Sequence, residues 1–270
     1  MGRMQERREP MEVRPHFVES YERLITTLLD TYPLDEAMSL AVGGAYDALG
    51  EAEADLLNRY GLLEHHFLID IGCGSGRWSS AIGRRFPGLR YLGTDIDPRL
   101  LEYAAGKAPA NFQFLLHQQL SIPADDASVD FIAFFSVFTH LLHEESYTYL
   151  RDAKRALRPG GTVIVSFLET SHHWETFESM LLLVGTNQSP HLNMFIERPM
   201  LIEWARHLEL ELDLPEPSPG QSMAIFRRVQ LPIDFEANIY LELHKDVADA
   251  GVDPIHHYLI QGHKEGRRYR

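Results

Sequence analysis

Between residues 67 and 76 a short apolar run, Phe67-Leu-Ile-Asp-Ile71, leads without a break into Gly72-Cys-Gly74-Ser-Gly76. An apolar run of that length closed by glycines reads as a buried strand. A strand that turns through glycines into a helix offers free backbone N–H groups to a ligand. Spacing then separates the cofactor classes. A dinucleotide loop of the form Gly-x-Gly-x-x-Gly would need glycine at position 77, where this chain has Arg77. Here the third glycine comes one residue early, and an acid, Asp70, precedes the loop.

The rhythm around this segment is strand, turn, helix. A helix is expected from about Gly76 to Phe86, a strand over Leu89–Ile96, and a helix start at Asp97-Pro98, an N-cap followed by proline at the first helical position. Further apolar strands are expected over Phe112–His117, Phe131–Val137 and Thr162–Phe167. A helix over Glu144–Leu157 should end in the turn Arg158-Pro-Gly-Gly161. Strands this uniformly apolar, alternating with helices, indicate a parallel sheet covered on both faces. Towards the C-terminus, Met200–His207 reads as a helix. Leu208–Leu214 and Ser222–Val229 read as an antiparallel pair at the sheet edge, joined by Pro215-Glu-Pro-Ser-Pro-Gly220.

The fold expected is therefore α/β, with helices on both faces of a mostly parallel sheet and an antiparallel edge pair. Residues 1–16 read as a mobile arm. Residues 17–61 read as a helical cover, with helices over Phe17–Tyr32 and Ala45–Tyr60, and residues 62–232 hold the ligand-binding domain. Residues 235–270 form a small helical module, with helices over Phe235–Ala250 and Pro254–Gly262.

Charge narrows the partners. The formal net charge is −14 with histidines neutral, whereas nucleic-acid binding draws on a basic excess. Arg77, Arg84, Arg85 and Arg90 cluster around one helix, and a solvated helix face is the simpler reading than a nucleic-acid patch. No apolar run reaches the roughly 18 residues that cross a bilayer, so no membrane span is expected. The single cysteine, Cys73, excludes an intrachain disulfide and suits the cytoplasm.

Asp95 closes the second strand of the domain. A carboxylate at that tip can accept both hydroxyls of a ribose, and Asp97 is already available to cap the next helix. With these residues in place, residues 67–169 resemble the class I S-adenosylmethionine-dependent methyltransferases. The likeness runs through Phe67–Gly76, Tyr91–Asp97, Asp130-Phe-Ile-Ala-Phe-Phe-Ser-Val137 and Leu157-Arg-Pro-Gly-Gly-Thr162. It implies a Rossmann-like seven-stranded sheet and S-adenosylmethionine as cofactor. It further implies that Gly72, Gly74 and Gly76 border the cofactor, that Asp70 holds the ammonium or the loop, that Asp95 takes the ribose, and that Ile96 packs on adenine. Many family members carry an acid where this chain has Gln118, whose side-chain carbonyl can still accept from the adenine amine. Ser136 should lie beside the methyl donor.

The acceptor is harder to read. A sugar hydroxyl needs help in losing its proton, from a base or a metal. The metal route in this family uses a carboxylate at the fourth strand tip, and here that tip is Phe134-Phe-Ser136, so no metal site is expected. His140 follows the same strand and is the candidate general base; packing beneath the loop is its alternative role. His143 and Glu144 are weaker candidates. Gly43-Gly-Ala-Tyr46-Asp47 is either a flap over the cofactor or an interhelical turn, and Trp78 and Trp174 are either pocket walls or core. Lastly, Tyr240–Pro254 and His257–Arg267 resemble a repeat found beside bacterial glycosyltransferases, with His244-Lys245 in place of its usual Asn-Pro. That likeness implies a saccharide acceptor in surface-polysaccharide or lipopolysaccharide assembly, and glycosyltransferases as partners. The rival readings are a small-metabolite, lipid or protein acceptor, or a non-catalytic cofactor-binding scaffold.

Overall fold

A computed structural model describes residues 16–182, 193–216 and 220–270. The arm foreseen before residue 16 and the middle of the proline-rich connection lie outside the described residues.

Three helices precede the sheet: α1 (His16–Thr31), α2 (Leu34–Ala41) and α3 (Tyr46–Arg59). The alternating part follows as β1 (Phe67–Ile71), α4 (Ser79–Arg85), β2 (Arg90–Asp95), α5 (Pro98–Lys107), β3 (Gln113–Leu116), β4 (Val129–Phe134), α6 (His143–Ala156) and β5 (Leu157–Phe167). After it come α7 (Trp174–Leu181), α8 (Arg198–His207), β6 (Leu210–Asp213) and β7 (Ser222–Arg228). The chain closes with α9 (Ala237–Leu243), α10 (Lys245–Asp249) and α11 (Pro254–His257).

The seven strands lie in the order β3-β2-β1-β4-β5-β7-β6. All neighbours are parallel except β7, which runs antiparallel to both β5 and β6. This is the Rossmann-like sheet with an antiparallel edge pair that the sequence pattern implied. Because side chains alternate across a strand, each central strand feeds two cores. Ile69, Ile132, Val165 and Phe226 face one, packed against Leu150 of α6 and Leu201 of α8. Leu68, Phe131, Ile164 and Ile225 face the other, against Leu57 of α3 and Ile82 of α4. Uniform hydrophobicity along these strands is the direct consequence of burial on both faces.

Three local expectations are corrected. The helix after the glycine loop starts at Ser79 rather than Gly76, because Gly76 sits at φ +80 and Arg77 and Trp78 complete the turn. α6 passes directly into β5, and the Arg158–Gly161 turn is absorbed as an irregularity in pairing opposite Val129–Phe131. The first C-terminal helix is split at His244, whose φ of −125 and ψ of 83 are not helical and whose Nε2 lies 2.7 Å from the Arg268 carbonyl oxygen.

The C-terminal residues build their own cluster around Tyr240, Val247 and Tyr258, with Phe235 against both tyrosine rings. Contacts from His263 Nε2 to Glu211 (2.5 Å) and from His256 Nδ1 to Glu209 (3.0 Å) tie this cluster to β6 and the turn before it. No helix among the described residues is long and apolar enough to cross a membrane.

Phe226 is fully buried in the larger core. Phe226→Ala should destabilise the protein by about 3–5 kcal/mol through lost transfer energy and a residual cavity. The check is the midpoint of urea unfolding at unchanged slope; a loss below about 1 kcal/mol would show that this core relaxes to fill the space.

Candidate active site

The carboxyl ends of parallel strands open towards a crevice where ligands gather in α/β folds. Here the ends of β1, β2 and β4 meet α1 and the turn after α2 to enclose a cleft of about 520 Å³. Gly72, Gly74, Asp95, Ile96, Ser136 and His140 all line it.

The glycine loop takes its shape from its neighbours. At Gly72, φ is +70 and an added Cβ would lie 2.5 Å from a Val137 methyl. At Gly76, φ is +80 and a Cβ would strike the Ala104 backbone at 2.9 Å, which lets α5 pack directly on the loop. Gly76 therefore serves close packing and does not line the cleft, a role the spacing alone did not distinguish from ligand contact.

Asp95 organises the floor. One carboxylate oxygen accepts the Gly74 N–H at 2.8 Å; the other accepts the N–H of Ile96 at 2.7 Å and of Asp97 at 3.2 Å. Burial pushes its carboxyl up to about 6, with those three N–H groups opposing the rise. Asp97 caps α5 by accepting the Arg99 N–H at 2.9 Å, with Pro98 at the first helical position as the sequence indicated. The oxygen that accepts only the Gly74 N–H keeps a further lone pair, so Asp95 retains acceptor capacity towards the cleft.

Asp70 and Gln118 stand beside the cleft. Asp70 lies under the loop, is 1% exposed, and accepts the Tyr91 hydroxyl at 2.8 Å. Burial pushes its carboxyl well above the ordinary range. Gln118 donates from Nε2 to the Ile96 carbonyl at 2.9 Å and so steadies the residue expected against adenine. The neighbouring His117 lines the cleft in its place.

The tip of β4 carries a feature that periodicity cannot show. Ser136 adopts φ +57, a left-handed conformation rare outside glycine and asparagine. A closed set of hydrogen bonds holds it there. The Ser136 N–H donates to Ser166 Oγ (2.7 Å), Ser166 donates to Gln221 Oε1 (2.6 Å), and Gln221 donates back to Ser136 Oγ (3.0 Å). Gln221 itself lines the cleft. It was missed because it lies beyond the proline-rich connection and meets Ser136 only through the β5–β7 pairing.

His140 ends a short 3-10 turn, Phe138–His140, and its ring meets that of Tyr21 edge-on at 5.4 Å between centroids. It borders both the cleft and a second, polar groove of about 660 Å³. His143 is occupied elsewhere, with Nε2 3.0 Å from the Phe195 carbonyl. Trp78 lines the cleft but is buried in the core, so it serves both roles considered for it. The Gly43–Asp47 segment also divides its roles: Gly43 lines the cleft, while Tyr46 donates to the Ser75 carbonyl at 2.6 Å and pins α3 to the glycine loop.

The arginine cluster is neutralised locally. Arg77 pairs with Glu53, Arg84 with Glu51, and Arg85 with Glu51 and Asp55, all on α3, while Arg90 stacks on Phe67. Among the described residues no group of three or more His, Cys, Asp or Glu is placed to hold a metal ion.

Comparison with known proteins agrees with this geometry. Residues 68–161 match a methyltransferase domain family. The chain is 27% identical over 172 residues to the malonyl (acyl-carrier protein) O-methyltransferase of Hahella chejuensis, covering 61% of this chain and 59% of that protein. It is 25% identical over 177 residues to the fatty-acid O-methyltransferase of Mycolicibacterium smegmatis, covering 61% and 62%. The chain thus spans about three fifths of the length of these curated relatives. Magnesium protoporphyrin IX methyltransferase from Synechocystis, solved with bound SAH, shares the fold with a TM-score of 0.55 at 15% identity, over 81% of this chain and 97% of that one. Residues 68–161 are therefore a methyltransferase domain of the S-adenosylmethionine-dependent kind, built on a Rossmann-like sheet.

Proposed function

We propose that the whole chain is an S-adenosylmethionine-dependent O-methyltransferase and that its acceptor is a sugar hydroxyl. The observation that carries this reading is the position of His140 on the wall shared by the cleft and the polar groove.

The residues of the cleft fit the cofactor. Asp95 offers a buried carboxylate for vicinal hydroxyls, Ile96 an apolar surface for adenine, and Gly72 and Gly74 a wall of bare backbone. Gly76 and Asp70 support the loop from below, and Gln118 holds Ile96 in place. Bound there, S-adenosylmethionine supplies a methyl group on a sulfonium, whose transfer to an acceptor oxygen leaves a thioether. Position supplies much of the acceleration in such a displacement. The strained Ser136 and its partner Gln221 shape the wall where the acceptor oxygen arrives, and His140 takes the hydroxyl proton. An imidazole suits that task near neutral pH.

The relatives named above act on a malonyl group and on a fatty acid, both carboxylic acids. A carboxylate needs no base and favours a cation beside it. Among the described residues neither Lys nor Arg lines the groove, and the one arginine of the cleft, Arg77, is held by Glu53 and the Val42 carbonyl. That pattern favours a neutral hydroxyl. The likeness of residues 235–270 to a repeat found beside glycosyltransferases supports a saccharide, with such enzymes as partners. A reducing compartment, the cytoplasm, belongs to the same proposal, with Cys73 a buried thiol.

Two outcomes follow from these assignments. His140→Ala should lower turnover at saturating cofactor by at least about 100-fold while leaving S-adenosylhomocysteine affinity within twofold; unchanged turnover removes His140 as the base. The Asp95 carboxyl sits at about 6 in the folded protein, and ribose hydroxyls donate to its ionised form. Below pH 6, S-adenosylhomocysteine binding measured by calorimetry should therefore weaken by about tenfold per pH unit, and above it should level off. The same raised value makes the free protein lose stability as pH rises from the ordinary carboxylate range through about 6. Affinity that is flat from pH 5 to 8 would falsify the ribose assignment.

A further inference from the structure

We infer that the polar groove beyond His140 is the saccharide subsite of this enzyme, with the indole of Trp174 as its stacking platform. The inference rests on the methyltransferase reading above and adds to it where the acceptor lies and which side chain selects it.

The groove is an open depression of about 660 Å³ between the end of β5, the residues leading into α7, and the wall formed by Thr139, His140 and Gln221. The groove is open to solvent along one side, with a volume in the range of small-molecule sites. It shares His140 and Gln221 with the cofactor cleft, so a ligand within it borders the same two side chains.

Trp174 opens α7 and is 56% exposed, an unusual state for the largest apolar side chain. It is not loose. Its ring lies 5.1 Å from that of Phe177, which in turn meets Phe195 edge-on at 5.6 Å. An aromatic surface backed by other rings and open to solvent offers a preformed flat partner at little entropic cost.

The polar rim completes the match. His173 is fixed, with Nε2 2.7 Å from the Gly220 carbonyl and Nδ1 3.1 Å from the Glu169 nitrogen. His172 stands beside it, half exposed, with Nε2 3.9 Å from the buried carboxylate of Glu169. Asn193 and Gln221 add amides that both donate and accept. Glu169 is committed to Arg198 and Ser222 beneath the floor, so that carboxylate anchors the groove instead of lining it.

A pyranose presents one face of C–H groups and a rim of hydroxyls that each donate and accept. A flat indole framed by imidazoles and amides answers both features. A fatty acyl chain would need mostly apolar walls and a carboxylate a fixed cation; among the described residues the groove's lining is more polar than apolar and holds no Lys or Arg.

The experiment uses the full chain saturated with S-adenosylhomocysteine. Methyl glycosides of glucose, galactose, mannose and rhamnose are the probes, with octanoate and malonate alongside, and saturation-transfer NMR is the readout. At least one glycoside should receive saturation most strongly at its ring C–H protons. Trp174→Ala should weaken that binding at least fivefold, Trp174→Phe should restore most of it, and both variants should keep S-adenosylhomocysteine affinity within twofold. Glycoside binding unaltered in Trp174→Ala overturns the platform. Saturation of octanoate or malonate with none of the glycosides overturns the saccharide subsite. Failure of the unaltered chain to bind S-adenosylhomocysteine overturns the methyltransferase reading instead, and the glycoside measurement without it still decides the groove.

Discussion

Everything at the centre of this molecule is arranged around one desolvated carboxylate. Asp95 bridges the glycine loop to the end of β2 by accepting three backbone N–H groups, one from Gly74 and two from the chain that follows it. Removing a carboxylate from water is costly, and its raised pKa is the signature of that cost. Three N–H donors offset part of it. The remainder is a bias towards any ligand that brings further hydroxyl donors. Strand, loop and helix start are thereby set by a group on the floor of the cleft, so the scaffold cannot relax without disturbing it.

The helical cover is coupled to the same loop. Ser75 is fully buried and donates from Oγ to the Met38 carbonyl at 2.8 Å, while its own carbonyl accepts the Tyr46 hydroxyl. Arg77 joins the Val42 carbonyl to Glu53. A Cβ at Gly74 would meet a Val42 methyl at 2.4 Å. Loop and cover therefore fit as two halves of one surface. The glycines are required as much by the protein that closes over them as by a ligand. Ion pairing between α3 and α4 spends the local arginines on the same contact, which explains a basic cluster in a strongly acidic chain without any appeal to an anionic partner.

How much of this was legible in the sequence follows from the range of the interactions. The glycine loop, the Asp97-Pro98 helix start and the strands over 67–71, 90–95 and 162–167 are set by neighbours a few residues away or by burial on both faces, and the residue pattern records both. The position of Asp95 on the cleft was readable because a strand end fixes where its side chain stands. Gln221 was not, since its meaning comes from Ser136 and Ser166, reached only through antiparallel pairing of β5 with β7. Trp174 was legible as a pocket wall or core residue, with no sign of which. An aromatic residue after two histidines carries no sign of exposure until Phe177 and Phe195 are seen behind it. Gly76 and Asp70 were legible as parts of the motif, but their placement under the loop depends on α5 and Tyr91, which no spacing rule anticipates.

The strain at Ser136 links these observations. A non-glycine residue at positive φ costs of order 1 kcal/mol or more and persists only where its surroundings over-determine it. Here three side-chain hydrogen bonds do so, and two of the three residues involved, Ser136 and Gln221, line the cleft. The left-handed turn redirects the chain at the end of β4 into the 3-10 turn that carries His140 to the boundary of cleft and groove. A relaxed backbone at Ser136 would set a different course for the following turn. The strain thus has a positional use: it places an imidazole between two compartments of opposite character, one walled by bare backbone and apolar side chains, the other rimmed with imidazoles and amides.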